Sequence, residues 1–176
     1  MIHASGDFSV KPLFKFTPGA CKIGIDALKA GAPILTDTSM AAAAVSPMSK
    51  RTLKSKVRCI FDWEQKFMDK EFSTRSSFAM KKSWEDIVMT DAENLKPIVL
   101  IGSSPTALMT LLDLLEKGVP KPSLIVGMPV GFVGVLESKR RLIDSEYPYI
   151  TLDGSRGGAS MVAATVNALL RAATVG

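Results

Sequence analysis

Two hydrophobic patterns alternate along the chain. Short apolar runs, "PIVLIG" (97–102) and "SLIVG" (123–127), are too short for helices and are bounded by Pro and Gly, which predicts strands buried on both faces. "APILTD" (32–37) and "VRCIF" (57–61) carry the same pattern. Between the two clearest runs lies "SPTALMTLLDLLEKG" (104–118), in which Leu108, Leu111, Leu112 and Leu115 recur at helical spacing. Ser104 fits the N-cap, Pro105 the first helical position and Gly118 the stop. The stretch 157–176 repeats this logic, with Ala159, Val162, Ala163, Val166, Leu169, Leu170 and Ala173 on one side. An earlier helix is predicted from Pro18 to Ala30, capped by Thr17 and stopped at Gly31. Residues 39–55 fit a helix, a loop or a mobile lid equally. Strand and helix in this rhythm imply right-handed crossovers and an α/β fold, with a mainly parallel sheet between two helical layers.

Composition narrows the picture. A chain of 176 residues with 47% apolar content can build one sizeable core, so a single domain over 1–176 is expected. Cys21 and Cys59 lie far apart without metal-ligand spacing, and no signal peptide pattern opens the chain. Two structural thiols in a reducing cytoplasm is the expectation. No apolar stretch approaches the ~18 residues of a membrane span. The net charge of +5, concentrated at 50–58 and 139–141, favours an anionic partner.

In an open parallel sheet the ligand crevice lies beyond the carboxyl ends of the strands. There the sequence places Asp37, the run Ser103 to Thr106, and the loop Gly127 to Gly134. A dinucleotide loop needs Gly-x-Gly-x-x-Gly and a strand-ending acid about 20 residues on. Pro129 occupies the second glycine's position, removing a donor and fixing the backbone, and no such acid follows. The Gly-x-x-x-x-Gly-Lys-Ser/Thr phosphate loop occurs nowhere. These glycines suit a large flat ligand pressed against backbone.

His3, the sole histidine, has the one side chain whose ordinary pKa of ~6.5 makes it a ready proton donor near neutrality. Ser5, Gly6 and Asp7 follow it, as at a strand end that turns sharply with a hydroxyl and a carboxylate able to orient an imidazole. "STRSSFAM" (73–80) reads as a helix start capped by Ser73 or Thr74, with Arg75 beside the hydroxyls. "DGSRGGAS" (153–160) places Arg156 at a glycine-rich helix mouth, where free backbone donors and the dipole attract anions. Two arginines and a lysine near such mouths suit several carboxylates at once.

Taken in order, "IHASGD", "GAPILTD", "TRSSFAM", "GSSPTAL", "VGMPVGFVGVLESK" and "GSRGGASMVAATVNALL" resemble the precorrin-8X and cobalt-precorrin-8 methylmutase family of cobalamin biosynthesis, over nearly the whole chain. The resemblance implies a flavodoxin-like three-layer fold, a cytoplasmic homodimer and an isomerase that moves a methyl group from carbon 11 to carbon 12 of a tetrapyrrole, without cofactor or metal ligands of its own. It implies His3 as general acid. It also implies substrate contacts from Ser5, Gly6, Asp37, Thr74, Arg75, Ser76, Ser103, Ser104, Thr106, Pro129, Gly131, Phe132, Ser138, Lys139, Arg156, Gly157 and Gly158. Family members carry a further segment ahead of the histidine motif, with an arginine three positions before it; on this numbering both would precede Met1, and the expectation is that they are absent. Two other readings compete: a diverged relative that binds a corrinoid without rearranging it, and a nucleotide-dependent α/β enzyme suggested only by the glycine loop. Neither nucleic acid nor membrane is an expected partner.

Overall fold

The apolar runs become strands because each can be covered on both sides. The computed structural model describes residues 1–63, 74–90 and 96–175. Among them six strands form one sheet: β1 (Phe14–Phe16), β2 (Ile34–Thr36), β3 (Val57–Cys59), β4 (Ile98–Ile101), β5 (Leu124–Gly127) and β6 (Tyr149–Leu152), in the order β1-β6-β5-β4-β2-β3. β2 to β6 are mutually parallel, and β1 pairs antiparallel with β6 through Phe14–Leu152 and Phe16–Ile150. Counted without β1, the parallel strands run 2-1-3-4-5, the flavodoxin order.

Among the described residues seven α-helices accompany the sheet: α1 (Ile2–Ser5), α2 (Ala20–Lys29), α3 (Ser39–Arg51), α4 (Arg75–Thr90), α5 (Pro105–Glu116), α6 (Val135–Ile143) and α7 (Ala159–Val175). α2, α3 and α7 bury Leu28, Val45, Val166 and Leu170 with Ile98, Leu100 and Val126 on one face. α4, α5 and α6 bury Trp84, Leu108, Leu111 and Leu142 with Val99, Ile101 and Ile125 on the other. Successive strand residues thus feed opposite layers, which is why these runs are apolar without alternation. Arg141 ties α6 to α5 through Asp113 (2.6 Å) and Glu116 (2.8 Å).

The expected helices and strands fall where the patterns placed them, with instructive exceptions. Thr17 does not cap α2: its N–H and hydroxyl both bond Tyr149, extending the sheet edge, so the helix begins after Gly19, whose φ is 77°. Residues 39–51 form a helix capped by Thr38, whose Oγ1 accepts from Ala41 N–H at 3.2 Å. The chain ahead of Asp7 is a short helix ended by Gly6 in the left-handed region, φ 64°, rather than a strand end. Thr74 accepts from Ser77 N–H at 3.1 Å and so caps α4; Ser73 lies outside the described residues.

Gly102, just after β4, lies against the start of α7, so close that a Cβ there would stand 2.7 Å from Ala159 N and from Gly158 C. Neither neighbour is a side-chain tip that could swing away. Gly102→Ala is expected to cost about 1–3 kcal/mol of stability, as an overpacked core site does. In thermal unfolding this reads as a midpoint lower by roughly 2–4 °C for each kcal/mol.

Candidate functional site

The parallel order reverses between β2 and β4, since the chain leaves β2 towards β3 and returns on the other side to β4, β5 and β6. In open parallel sheets ligands bind beyond the carboxyl ends of the two strands at such a reversal. Asp37 follows β2 and Ser103–Ser104 follow β4. Asp37 Oδ2 accepts the backbone N–H of Ser103 at 2.6 Å and of Ser104 at 2.9 Å, while Oδ1 is buried without a hydrogen-bond partner among the described residues. The side chain is only 1% exposed. Burial raises its pKa above the usual carboxylate value, opposed by the N–H groups of Ser103, Ser104 and Gly102.

From Ser104 a row of hydroxyls runs to α4. Ser104 Oγ meets Thr106 Oγ1 at 3.0 Å, Thr106 meets Thr74 Oγ1 at 2.9 Å, and Thr74 meets Ser77 Oγ at 2.8 Å. Arg75 begins α4 beside this row, its guanidinium 4.4 Å from the centre of the Phe61 ring, with half-buried Ser76 next to it.

A hollow of about 210 Å³ opens beside the end of β6. It is lined by Ser5, Asp7, Val10, Val130, Leu152, Arg156, Gly157 and Met161. Two loops, after β5 and after β6, are joined there by backbone contact: Gly158 N–H donates to Met128 O at 2.9 Å and Gly131 N–H to Ser155 O at 3.1 Å. Gly157 permits this, since a Cβ there would lie 2.0 Å from Met128 O. Pro129, Gly131 and Phe132 belong to the loop that rims the hollow, and Phe132 and Val133 are each 91% exposed. His3 is exposed in α1, within one turn of Ser5.

Several expected contacts are corrected by this geometry. The carboxylate of Asp7 does not orient His3; it accepts from Ser9 N–H and Ser9 Oγ, both at 2.8 Å, and from Arg156 Nη1 at 2.6 Å. Those Ser9 bonds, and secondarily Arg156, hold its pKa below the usual value. Ser5 Oγ is spent on Ile2 O (3.2 Å) and the Asp7 backbone. Asp37 and Ser138 are sealed from solvent, Ser138 donating to Val135 O at 2.9 Å, so neither offers a ligand an open face. Lys139 is likewise 1% exposed, and its Nζ donates to Gly154 O (2.7 Å) and Arg156 O (2.5 Å), tying α6 to the loop that carries Arg156–Gly158. Val10, Leu152 and Met161 also line the hollow; Val10 lies far from the other two in sequence, and no local signal marks any of them. Asp7 could have been found as the acid opposite Arg156, had their proximity across 149 positions been visible.

Comparison with known proteins decides the family. The profile described as precorrin-8X methylmutase matches residues 1–172. The chain belongs to the precorrin-8X methylmutase family. It is 42% identical over 174 residues to the precorrin-8X methylmutase of Pseudomonas aeruginosa, covering 96% of this chain and 79% of that one. Against the cobalt-precorrin-8 methylmutase of Leptospira interrogans the identity is 34%, covering 97% and 79%. The solved precorrin-8X methylmutase of Thermus thermophilus superposes with a TM-score of 0.86 at 36% identity, covering 99% of this chain and 82% of its own. The family is one of isomerases, intramolecular methyl mutases, and this chain is an enzyme of that class. Among the described residues no helix is long and apolar enough to cross a membrane, and no group of three or more His, Cys, Asp or Glu side chains is placed to hold a metal.

Lys139 generates a pH prediction. Burial lowers its pKa from 10.5 to about 8, with Asp153 opposing. A neutral amine still has two N–H donors, enough for the two carbonyls it meets. The folded group therefore releases its proton near pH 8 while the unfolded chain keeps its own until about 10.5, so the unfolded state binds more protons in that window. Stability relative to Lys139→Met should rise with pH from about 8 to 10.5, by at most ~1.4 kcal/mol per pH unit, and stay level below that window. Urea unfolding of both proteins at pH 7, 8 and 9.5 reads the difference.

Proposed function

We propose that this chain moves the methyl group of precorrin-8X or cobalt-precorrin-8 from carbon 11 to carbon 12 of the macrocycle, giving hydrogenobyrinic or cobyrinic acid in the cytoplasm. The observation that carries the reading is the meeting of the histidine turn with the glycine-rich loops: Ser5, Val130, Arg156 and Gly157 line one hollow, although they come from both ends of the chain. Backbone and small side chains on the floor suit a flat ring. The rim supplies what its acetate and propionate groups need. Arg156 lines the hollow, and Arg75 with the Thr74, Thr106 and Ser104 hydroxyls lies at the starts of α4 and α5.

The reaction is an isomerisation, so no atom enters or leaves. His3 acts as the general acid: its imidazolium donates a proton to a ring nitrogen, drawing electron density from the conjugated system while the methyl group migrates suprafacially along one face, and the proton returns when the corrin conjugation is complete. No covalent bond to the protein is required. Positioned acids contribute about 10²–10⁴ in rate.

The active unit is a homodimer in this reading. Phe132 and Val133 project from the rim, with Val130 and Leu136 also exposed, an apolar edge that a second copy would cover. Light scattering of the purified protein should give twice the mass of one chain.

With purified protein and precorrin-8X, turnover is followed by the change in the substrate's absorption. His3→Ala should bind the corrinoid product within a few-fold of the unaltered protein and lose about 10²–10⁴ in turnover. Full turnover by that variant would remove His3 from the mechanism. Product binding by the unaltered protein without turnover at any pH would instead indicate a non-catalytic binder.

A further inference from the structure

Asp37 is a carboxylate with one oxygen saturated and the other bare. Its Oδ2 takes the N–H groups of Ser103 and Ser104 at the mouth of α5, donors that would otherwise attract an external anion. The protein therefore supplies its own anion there, and that helix mouth is closed to a substrate carboxylate. Asp37 is itself fixed, since its N–H donates to Leu100 O at 2.9 Å, holding it to β4 as well as to β2.

The consequence travels along the hydroxyls. Ser104 Oγ accepts from Ala107 N–H at 3.1 Å, and Thr74 Oγ1 from Ser77 N–H at 3.1 Å, so two members of the row are anchored to helix starts. Ser104, Thr106, Thr74 and Ser77 are joined by three mutual bonds. Each hydroxyl brings one proton, so three are used within the row and one is left over. Ser77 is buried, and donating inward to Thr74 spares it an unmet donor. The surplus proton then lies on a half-buried member, Thr74, Thr106 or Ser104. Whichever carries it, the row has one net donor left over and asks for an acceptor.

We propose that Asp37 is a positioning residue, which never touches substrate but, by clamping Ser103 and Ser104, sets the hydroxyl row so that its surplus donor meets one carboxylate of the macrocycle. The inference rests on the methylmutase reading for the identity of that carboxylate, and on the geometry alone for the clamp. A clamp needs an acceptor oxygen and not a titratable proton, which separates it from an acid taking part in the reaction. Nothing else described bonds both N–H groups, so removing the carboxylate frees the helix mouth for a small anion to enter.

The experiment compares Asp37→Asn, which keeps an acceptor oxygen, with Asp37→Ala, which does not. Expected for Asp37→Asn is a product Kd within about threefold of the unaltered protein. For Asp37→Ala, Kd should weaken by about tenfold, the scale of one lost charge-assisted bond, with kcat nearly kept. Sodium formate, but not sodium chloride at the same ionic strength, should recover part of that affinity. Formate should also raise the thermal midpoint of Asp37→Ala and leave that of the unaltered protein unmoved; this arm needs no corrinoid, so it decides the clamp even if the unaltered protein fails to bind one. Should the alanine variant not fold, Asp37→Gly, which also lacks an acceptor oxygen, carries the same arms. The inference is overturned by a kcat loss of about a hundredfold in Asp37→Asn, which would make Asp37 a participant in the chemistry. It is equally overturned by unchanged Kd in Asp37→Ala, or by the absence of any formate effect.

Discussion

The site depends on the backbone of three loops coming within contact distance of one another at the carboxyl edge of the sheet. Gly157 faces Met128 O where a Cβ would be 2.0 Å away, and Gly102 meets the first turn of α7 in the same manner. These are approaches of peptide to peptide, so no side-chain rearrangement can relieve a methyl group placed there. The glycines are required by distance rather than by conformation: Gly102 and Gly157 have ordinary φ values, whereas Gly131, Gly134 and Gly158 lie in the left-handed region. A floor made in this way is thin, rigid and without projecting side chains.

Two buried charges of opposite sign hold that floor. Asp37 gathers the loop after β4, and Lys139 reaches from α6 to the carbonyls of Gly154 and Arg156 in the loop after β6. Each meets peptide groups of complementary polarity: the carboxylate takes N–H donors and the amine takes carbonyls. Neither relies on a nearby ion pair as its main partner. A charged side chain solvated by backbone dipoles remains in place when the hollow in front of it changes occupancy, which a surface salt bridge would not guarantee.

The strands at 98–101 and 124–127 and the helices at 105–116 and 159–175 were legible because their patterns are local: a run buried on both faces, or an apolar stripe between a cap and a stop. The site was legible by position, since a parallel sheet places its ligands beyond the strand ends, and Ser103, Ser104, Thr106 and Gly157 all lie there. What each side chain does was not legible, because that is settled by partners far away in sequence. Lys139 sits in a run of charges, and only the fold turns it inward towards residues 154 and 156. Asp37 reads as a carboxylate at a crevice until the amides that claim it come into place. Thr17 reads as a cap until β1 takes up its edge position against β6 and claims its hydroxyl for Tyr149. β1 itself, only three residues long, carries no periodic signal of its own.

On the proposed methylmutase reading, the long-range pairing of Arg156 serves recognition rather than stability alone. Its Nη1 bonds Asp7 and Ser9, contacts too exposed to add much to folding free energy. They do fix the plane of the guanidinium, and the donors on Nε and Nη2 are not used in these bonds. An arginine already oriented loses less side-chain entropy when it meets a carboxylate than one free to rotate, so more of the interaction appears as affinity. Asp7 at the same time cancels part of the positive charge, which favours a ligand whose several carboxylates are distributed around a ring over a compact anion seeking one concentrated pole.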